Sequence, residues 1–517
     1  MTMKKIFTFL LFGILTFYSC KEGIIDNPIE NKAPNTSLFL YLDSSISKQR
    51  SRLTIHWWGD DPDGLVVGFY FKWLGLDSTW HFTTKNDSTF SLPIGTADTT
   101  YTFVIAAADN SGNNKYDHQV IRNGINFGSE PFTDLNGNNL HDNNEPFVDI
   151  GLIDPSPAKL KFPISNSAPE VQWNKESILP PSSLPVVTIA WEATDLDGNS
   201  TITSINIALN DTNKAVSLDG SVRLVTLVGQ NFSSDTTTMK ILIDGSPEKI
   251  YPDPLPNLLL NAKNKIYIQA VDISGAKSRF ISLPDSSSDW FVEKPKGDLL
   301  IIDDYPAHND VEEYYRQVFS AIGQGTFKNK FNVFNLETTK LSYEYTTFLQ
   351  MISLFKYVFW YSSSTPSIDL ANLVTQKYLQ SGGHLFYSMT FKDSSDTFPL
   401  DLQTLQNFLP IDSLGEKKPL AFLFPGAQVL GSSTGLDLPQ LQTTATIGFV
   451  RTFYPANISA IAAYDISSRQ ITGNIAFINK NKNLFFIGLP LHLCDGIKGN
   501  VNKLLEKIFF DQFNAKK

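Results

Sequence analysis

The chain has 517 residues, room for about three domains of ordinary size. Its 42 Lys and Arg are outnumbered by 52 Asp and Glu, a formal charge of -10. That balance excludes the basic footprint of a nucleic-acid binder and suits solubility and tolerance of cations. With only two cysteines, Cys20 and Cys494, against 38 Phe, the fold must rest on its cores and on any bound metal, not on a disulfide framework.

The amino terminus reads MTMKKIFTFLLFGILTFYSC. Lys4 and Lys5 form a positive region, and Ile6 to Phe17 is an apolar run too short to span a bilayer comfortably. Ser19 directly before Cys20 resembles a lipobox. The resemblance implies cleavage before Cys20, lipid on that thiol and a membrane-anchored mature chain, in the outer membrane or facing the periplasm or cell surface. The polar stretch that follows reads as a tether over 20–32.

Two β units follow, and they repeat one another. The first opens on APNTSLFLYL at Ala33, continues with LTIHWWGDDPDG at Leu53 and ends with YTFVIAAADNSG at Tyr101. The second has APEVQW at Ala168, VTIAWEATDLDG at Val187 and KIYIQAVDISG at Lys265. Leu53, Ile55 and Trp57 fall on one face of a strand with period two, so Trp57 and its counterpart Trp191 are expected in cores. The pattern resembles fibronectin type III and related immunoglobulin-like modules, over 33–122 and 168–293. Such modules act as spacers or binding surfaces. The acidic turns at Asp60, Asp61, Asp63, Asp195 and Asp197 fit either tight-turn chemistry or calcium between modules.

Between these units, a connector over 123–167 carries DLNGNNLHDNNE. Counted from Asp134, positions 1, 3, 5, 7, 9 and 12 are Asp134, Asn136, Asn138, Leu140, Asp142 and Glu145. This is the ligand spacing of an EF-hand loop, in which alternate oxygens converge on a hard cation. Asn139 stands where the loop glycine belongs, and EPFTD and EPFVD flank the loop without helical character. It resembles an isolated EF-hand-like or dockerin-like loop. The resemblance implies structural calcium, here stiffening the joint between the sandwiches.

After Lys294-Pro295-Lys296-Gly297, apolar strands alternate with helices. Strands are expected at Leu299, Phe331, Tyr357, His384, Asn474 and Asn483. Helices are expected over 310–322, 345–354, 368–379 and 501–513. The alternation predicts a parallel sheet covered on both faces. LLIIDD, YVFWYS, GGHLFYSM and IGLPLHLCDG resemble the class I glutamine amidotransferase-like superfamily in their order. The cysteine of its nucleophile elbow is absent: Tyr387, Ser388, Met389 and Thr390 occupy that place, while His492 falls where the family histidine lies.

The sequence therefore predicts two all-β immunoglobulin-like sandwiches followed by an α/β doubly wound (flavodoxin-like/amidotransferase-like) domain over 297–517. Three functions compete. The first is a lipid-anchored binding or envelope-assembly module without chemistry, its partner an envelope protein. The second is a hydrolase of a surface polymer or amide, with Ser388 as nucleophile, His492 as base and Asp303 or Asp304 at the carboxyl ends of strands. The third is a surface protein that captures glycan on exposed aromatics. Cys494 is expected to be a small buried hydrophobe.

Overall fold

The computed structural model describes residues 30–39, 52–93, 99–164, 166–285, 288–305, 310–392, 401–416, 421–432, 435–468 and 471–517. The signal segment 1–19, Cys20 and the tether up to residue 29 lie outside the described residues. Among the described residues no helix is long and apolar enough to cross a membrane. The chain forms two compact units, 1–167 with 196–198, and 168–195 with 199–517.

The first unit is a β-sandwich. Its strands are β1 (Asn35–Phe39), β2 (Arg52–Asp60), β3 (Val66–Leu74), β4 (His81–Thr83), β5 (Asp87–Ser91), β6 (Thr99–Asp109), a two-residue hairpin β7 (Ile121–Arg122) and β8 (Ile125–Asn126), and β9 (Ala158–Ile164). They form antiparallel sheets of order β1-β2-β5 and β4-β3-β6-β9. The period-two apolar residues of β2 face inward as their spacing predicts: Ile55 and Trp57 are buried against Phe69, Phe103 and Phe162. The Trp57 indole N–H is satisfied by the Lys85 carbonyl at 2.8 Å.

This sandwich does not end at residue 122. β9 pairs with β6 from Thr99↔Ile164 to Ile105↔Ala158, so residues 110–157 are an excursion between two strands of one domain. Along the chain the EF-hand-like loop therefore lies within the first sandwich domain and not in a connector that follows it. The excursion folds over the outer face of its own sheet, where Tyr70, Ala106 and Ala108 pack against Val120, Phe127, Ile150 and Ile153. Small side chains at 106 and 108 let the excursion approach closely. Pro163 is tolerated because β9 is an edge strand.

The second unit opens with another sandwich, built of β10 (Glu170–Trp173), β11 (Ser182–Ser183), β12 (Val186–Thr194), β13 (Ile202–Leu209), β14 (Val216–Asp219), β15 (Leu224–Gln230), β16 (Thr236–Ile243), β17 (Leu255–Leu259), β18 (Ala262–Asn264), β19 (Ile266–Asp272), β20 (Ile281–Leu283) and β21 (Trp290–Val292). Sheets β10-β12-β15-β16-β17 and β14-β13-β19-β20 enclose Ile189, Trp191, Ile205, Leu227, Ile241, Ile268 and Trp290. The repeat seen in the sequence has a shared physical basis. Asp63 accepts the Lys32 backbone N–H and Asp197 accepts that of Ser167, just ahead of each Ala-Pro opening. Asp109 and Asp272 likewise each bind the N–H and hydroxyl of the serine two residues on. Turn and clamp chemistry thus accounts for most of the repeated aspartates.

The rest of this unit runs β22 (Leu299–Asp304), α1 (Val311–Gly325), β23 (Phe331–Asn335), α2 (Glu344–Ile352), β24 (Tyr357–Ser362), α3 (Ile368–Gln380), β25 (His384–Ser388), α4 (Leu402–Gln406), β26 (Ile411–Leu414), β27 (Gln428–Gly431), β28 (Leu441–Gln442), β29 (Phe453–Pro455), β30 (Ala460–Ser467), β31 (Thr472–Asn479), β32 (Leu484–Ile487) and α5 (Asn500–Glu506). One mixed sheet runs β23-β22-β24-β25-β32-β31-β30-β27-β28, with β26 and β29 branching from β31. The first five strands are mutually parallel. Phe359 and Phe386 meet α1 and the turn after α5 through Tyr315, Phe319 and Phe509, whereas Trp360 and Tyr387 on the other face meet α2 and α3.

The boundary expected near residue 294 is not a loose linker. Leu184, Val186, Val228 and Leu242 of the sandwich share one hydrophobic core with residues 299–515. Thr188, fully buried, is a polar hub in this seam. Its hydroxyl meets Thr226 and Thr347 at 2.8 Å, and its carbonyl accepts Ser342 Oγ at 2.6 Å. β12 is thus buried on both faces, and a half-buried strand reading of its sequence misses the second one.

Candidate functional sites

The carboxyl ends of the parallel strands collect the residues singled out for chemistry. Ser388 ends β25 and is fully buried. Its hydroxyl donates to the Leu489 carbonyl at 2.9 Å and accepts the Leu491 N–H at 3.1 Å. The Tyr315 hydroxyl lies close enough for Ser388 to lower its pKa against the larger upward push of burial. That hydroxyl accepts the His492 backbone N–H at 3.2 Å, and His492 Nδ1 lies 3.5 Å from it. The structure therefore brings Ser388 and His492 to one tyrosine, which bridges them. Burial pushes the His492 imidazole down to about 4, so at neutral pH it is uncharged.

A nucleophilic serine needs a free lone pair and a base aimed at its proton. Here the Ser388 hydroxyl donates to one backbone carbonyl and accepts one backbone N–H, so it is already engaged on both counts. The arrangement stitches the end of β25 to the turn after β32. Helical spacing over 310–322 is silent on the Tyr315 hydroxyl; the fold shows that it reaches the turn after β32 through the His492 N–H.

Asp303 and Asp304 point to opposite faces, as alternation in a strand requires. Asp303 accepts the Tyr305 N–H and Asn335 Nδ2, each at 3.0 Å, and burial raises its pKa. Asp304 accepts Trp360 Nε1 at 3.1 Å, the Ser367 N–H at 2.7 Å and Ser367 Oγ at 2.8 Å. Desolvation nonetheless pushes it up to about 6. Its partners fix the start of α3 to the sheet, so its role is structural. Cys494 is fully buried, and burial raises its thiol to about 12.

The Asp134–Glu145 loop is pinched at its neck by its repeated flanks. Phe132 and Phe147 bridge antiparallel, Thr133 N–H donates to the Pro146 carbonyl and Val148 N–H to that of Pro131, both at 2.8 Å. Within the loop Asp134 accepts the backbone N–H groups of Asn136, Gly137 and Asn139. The Asn139 N–H is the largest of the effects that hold its carboxyl below the usual range. Asn136 and Asn138 donate their side-chain amides to Asp142 Oδ2 at 2.7 and 3.0 Å. Glu145 accepts the Leu135 and Asp142 N–H groups. Asn139 adopts φ 58°, the left-handed backbone its place in the loop demands. The Leu140 side chain is exposed, leaving only its carbonyl as a candidate ligand. Among the described residues no group of three or more His, Cys, Asp or Glu is arranged to hold a metal ion.

No family model matches the chain, and no curated protein matches it. Among solved structures, the Clostridium thermocellum CbhA fibronectin(III)-like modules align over 50% of this chain and 94% of theirs, at 12% identity and a TM-score of 0.17. The chicken interferon gamma receptor alpha chain aligns over 49% and 97%, at 8% identity and a TM-score of 0.18. At those scores the likeness carries no argument. The β-sandwich assignment rests on the strand orders themselves.

Proposed function

We propose that this chain is an exported lipoprotein, anchored through lipid on Cys20, that serves as a binding or envelope-assembly module without chemistry. In this reading residues 297–517 are a doubly wound α/β domain of the class I glutamine amidotransferase-like kind that does not catalyse. The parallel strand order β23-β22-β24-β25-β32, which is 2-1-3-4-5 counted along the chain, supports the architecture. The observation that carries the non-catalytic reading is the Ser388 hydroxyl, buried and held between Leu489 and Leu491. The hydrolase alternative draws on the meeting of Ser388 and His492 at Tyr315, but it requires those backbone bonds to break first.

The excursion is proposed to carry structural calcium. Asp134, Asn136, Asn138, Asp142 and Glu145 interact within one closed loop, and their oxygens, with the Leu140 carbonyl, are the hard donors calcium takes. The ion would replace the amide donors now facing Asp142, and so tighten the excursion on its own sandwich.

Two measurements test this reading. Mass spectrometry of the mature amino terminus should find a diacylated Cys20; an intact Met1 on protein recovered from cytosol refutes export. Calcium should raise the melting temperature of the full chain, and a variant with Asp134→Ala and Glu145→Ala should lose that rise. At a hundredfold excess over Kd the gain corresponds to about 2.7 kcal/mol. No rise in the parent refutes the site.

A further inference from the structure

The first sandwich turns one face of its sheet β1-β2-β5 outward. Residues paired across antiparallel strands share a face. The register Ser37↔Trp58, Phe39↔His56 and His56↔Asp87 therefore puts Phe39, His56 and Trp58 together, opposite the buried Ile55 and Trp57. Phe39 and Trp58 are diagonal neighbours on adjacent strands, a separation that aromatic side chains bridge. Both are 56% exposed. His56 stands opposite Phe39 and pairs with Asp87 at 3.6 Å. A single exposed apolar side chain is ordinary; two large rings side by side on one sheet face are not.

The second sandwich repeats the register without the rings. Glu170↔Thr194 and Gln172↔Glu192 there match Asn35↔Asp60 and Ser37↔Trp58 here. Counted so, Trp58 corresponds to Glu192 and Phe39 to Asn174. Glu192 accepts Gln172 Nε2 at 2.9 Å. The fold is thus satisfied by polar residues at both positions.

What sets the first copy apart is its place in the chain. The Lys32 backbone N–H is held by Asp63, and Asn31 Nδ2 by Asp109 at 2.8 Å. The chain therefore enters this sandwich beside the turn that follows β2, the strand carrying Trp58. Only twelve residues, 21–32, lie between Cys20 and that entry. Fully extended they reach about 40 Å, roughly the width of a small domain. A lipid on Cys20 would keep the sandwich at the bilayer at an effective concentration on the order of millimolar. Contacts too weak to recruit a free protein are populated under that condition.

We propose that the Phe39–Trp58 face rests on the headgroup region of a zwitterionic phospholipid bilayer, as a second point of attachment beside the lipid on Cys20. The proposal rests on the lipoprotein reading above. An indole suits that depth, with an apolar body toward the acyl chains and a polar N–H toward the headgroups. Asp60 and Asp63, exposed at the neighbouring turn, disfavour an anionic surface, so the contact is apolar and holds at high salt.

The test uses the mature chain from Cys20, coupled through that thiol to a maleimide lipid in phosphatidylcholine vesicles. Cys494 is fully buried and does not compete. Acyl chains carrying bromine quench only indoles that reach them, and the Trp58 component is the parent signal minus that of Trp58→Phe. Quenching of this component is expected. Phe39→Asn should lower the population in contact about tenfold, the effect of losing one buried aromatic side chain. Circular dichroism confirms that each variant is folded. An unquenched Trp58 with coupling confirmed by mass overturns the face and leaves the native lipid on Cys20 untouched. Quenching in these vesicles supports the face even where native Cys20 carries no lipid, so the two readings fail separately. Quenching that Phe39→Asn leaves unchanged overturns the proposal. So does self-association of the uncoupled chain in sedimentation that Trp58→Glu abolishes, which would assign the face to a second copy.

Discussion

Asp304→Asn separates two opposing effects on one carboxylate. Asp304 is 8% exposed and receives three hydrogen bonds, yet desolvation raises its pKa from 3.8 to about 6. The folded state therefore binds more protons than the unfolded chain between those values. This group's contribution to stability is greatest below about 4, declines as pH rises to about 6, and stays low above that. The shift is about two pH units, which at 1.36 kcal/mol each is roughly 3 kcal/mol. Asparagine has the same shape and never ionises. Its carbonyl can accept Trp360 Nε1 and the Ser367 N–H, and its amide can donate to Ser367 Oγ once that hydroxyl rotates. Near pH 4 the variant should lie within about 1 kcal/mol of the parent, the cost of one imperfect pair. By pH 8 the difference should have moved in its favour by roughly 3 kcal/mol. Urea unfolding at both pH values, read by pulsed hydrogen exchange on peptides from β22, excludes signal from the first unit. If the variant keeps the parent's pH profile, or is weaker at pH 8 by more than about 1 kcal/mol, the three donors outweigh desolvation and the reasoning is wrong.

Four further substitutions probe other parts of the fold. Thr188→Val keeps the volume but removes the hub that joins Thr226 and Thr347, and should cost residues 168–517 about 1–3 kcal/mol in denaturant unfolding. Gly323→Ala meets both a φ of 56° and the Phe510 ring 2.3 Å from the new Cβ; a loss of about 2–4 kcal/mol is expected. Gly382→Ala, with φ 92° and open space around the Cβ, should cost only the backbone term, and equal melting points for the two would contradict this. Glu130 is buried and accepts the Ile150 and Asp117 N–H groups at 2.7 and 2.8 Å. Glu130→Gln can satisfy only one of them, so hydrogen exchange should quicken at those two amides while β2, β3 and β6 stay protected.

What the sequence conveyed was local. The alternation Leu53, Ile55, Trp57 and the D-x-D-G turns depend on neighbours along the chain, and they placed the strands and cores correctly. The closing strand β9 is hard to read in the sequence because AKLKFPI follows a long Asn-, Asp- and Gly-rich stretch and carries a proline. Its signal was present in the alternation Leu160, Phe162, Ile164, and in the repeat, whose second copy supplies β20 after its own S-G turn. The candidate site shows the same limit. Strand ends located Asp303, Asp304 and Ser388, but their roles depend on Asn335, Ser367 and Leu489, partners 32 to 101 residues away. No periodicity reports such pairings. The antiparallel extension from β26 to β31 was legible only in part, because its short strands are joined by irregular loops.

The two sandwiches also differ at one matching strand face. A cross-strand threonine pair recurs at matching positions, Thr54 with Thr89 and Thr188 with Thr226, each at 2.8 Å. In the second copy that pair is buried beneath α2, and Thr347 adds a third hydroxyl. In the first copy Thr54 and Thr89 are exposed, and two positions beyond His56 on the same strand face stands Trp58. Buried hydroxyls must be paired, so the second copy is committed to its seam. The first copy keeps the equivalent face in water, where an exposed indole has no packing to gain within its own domain.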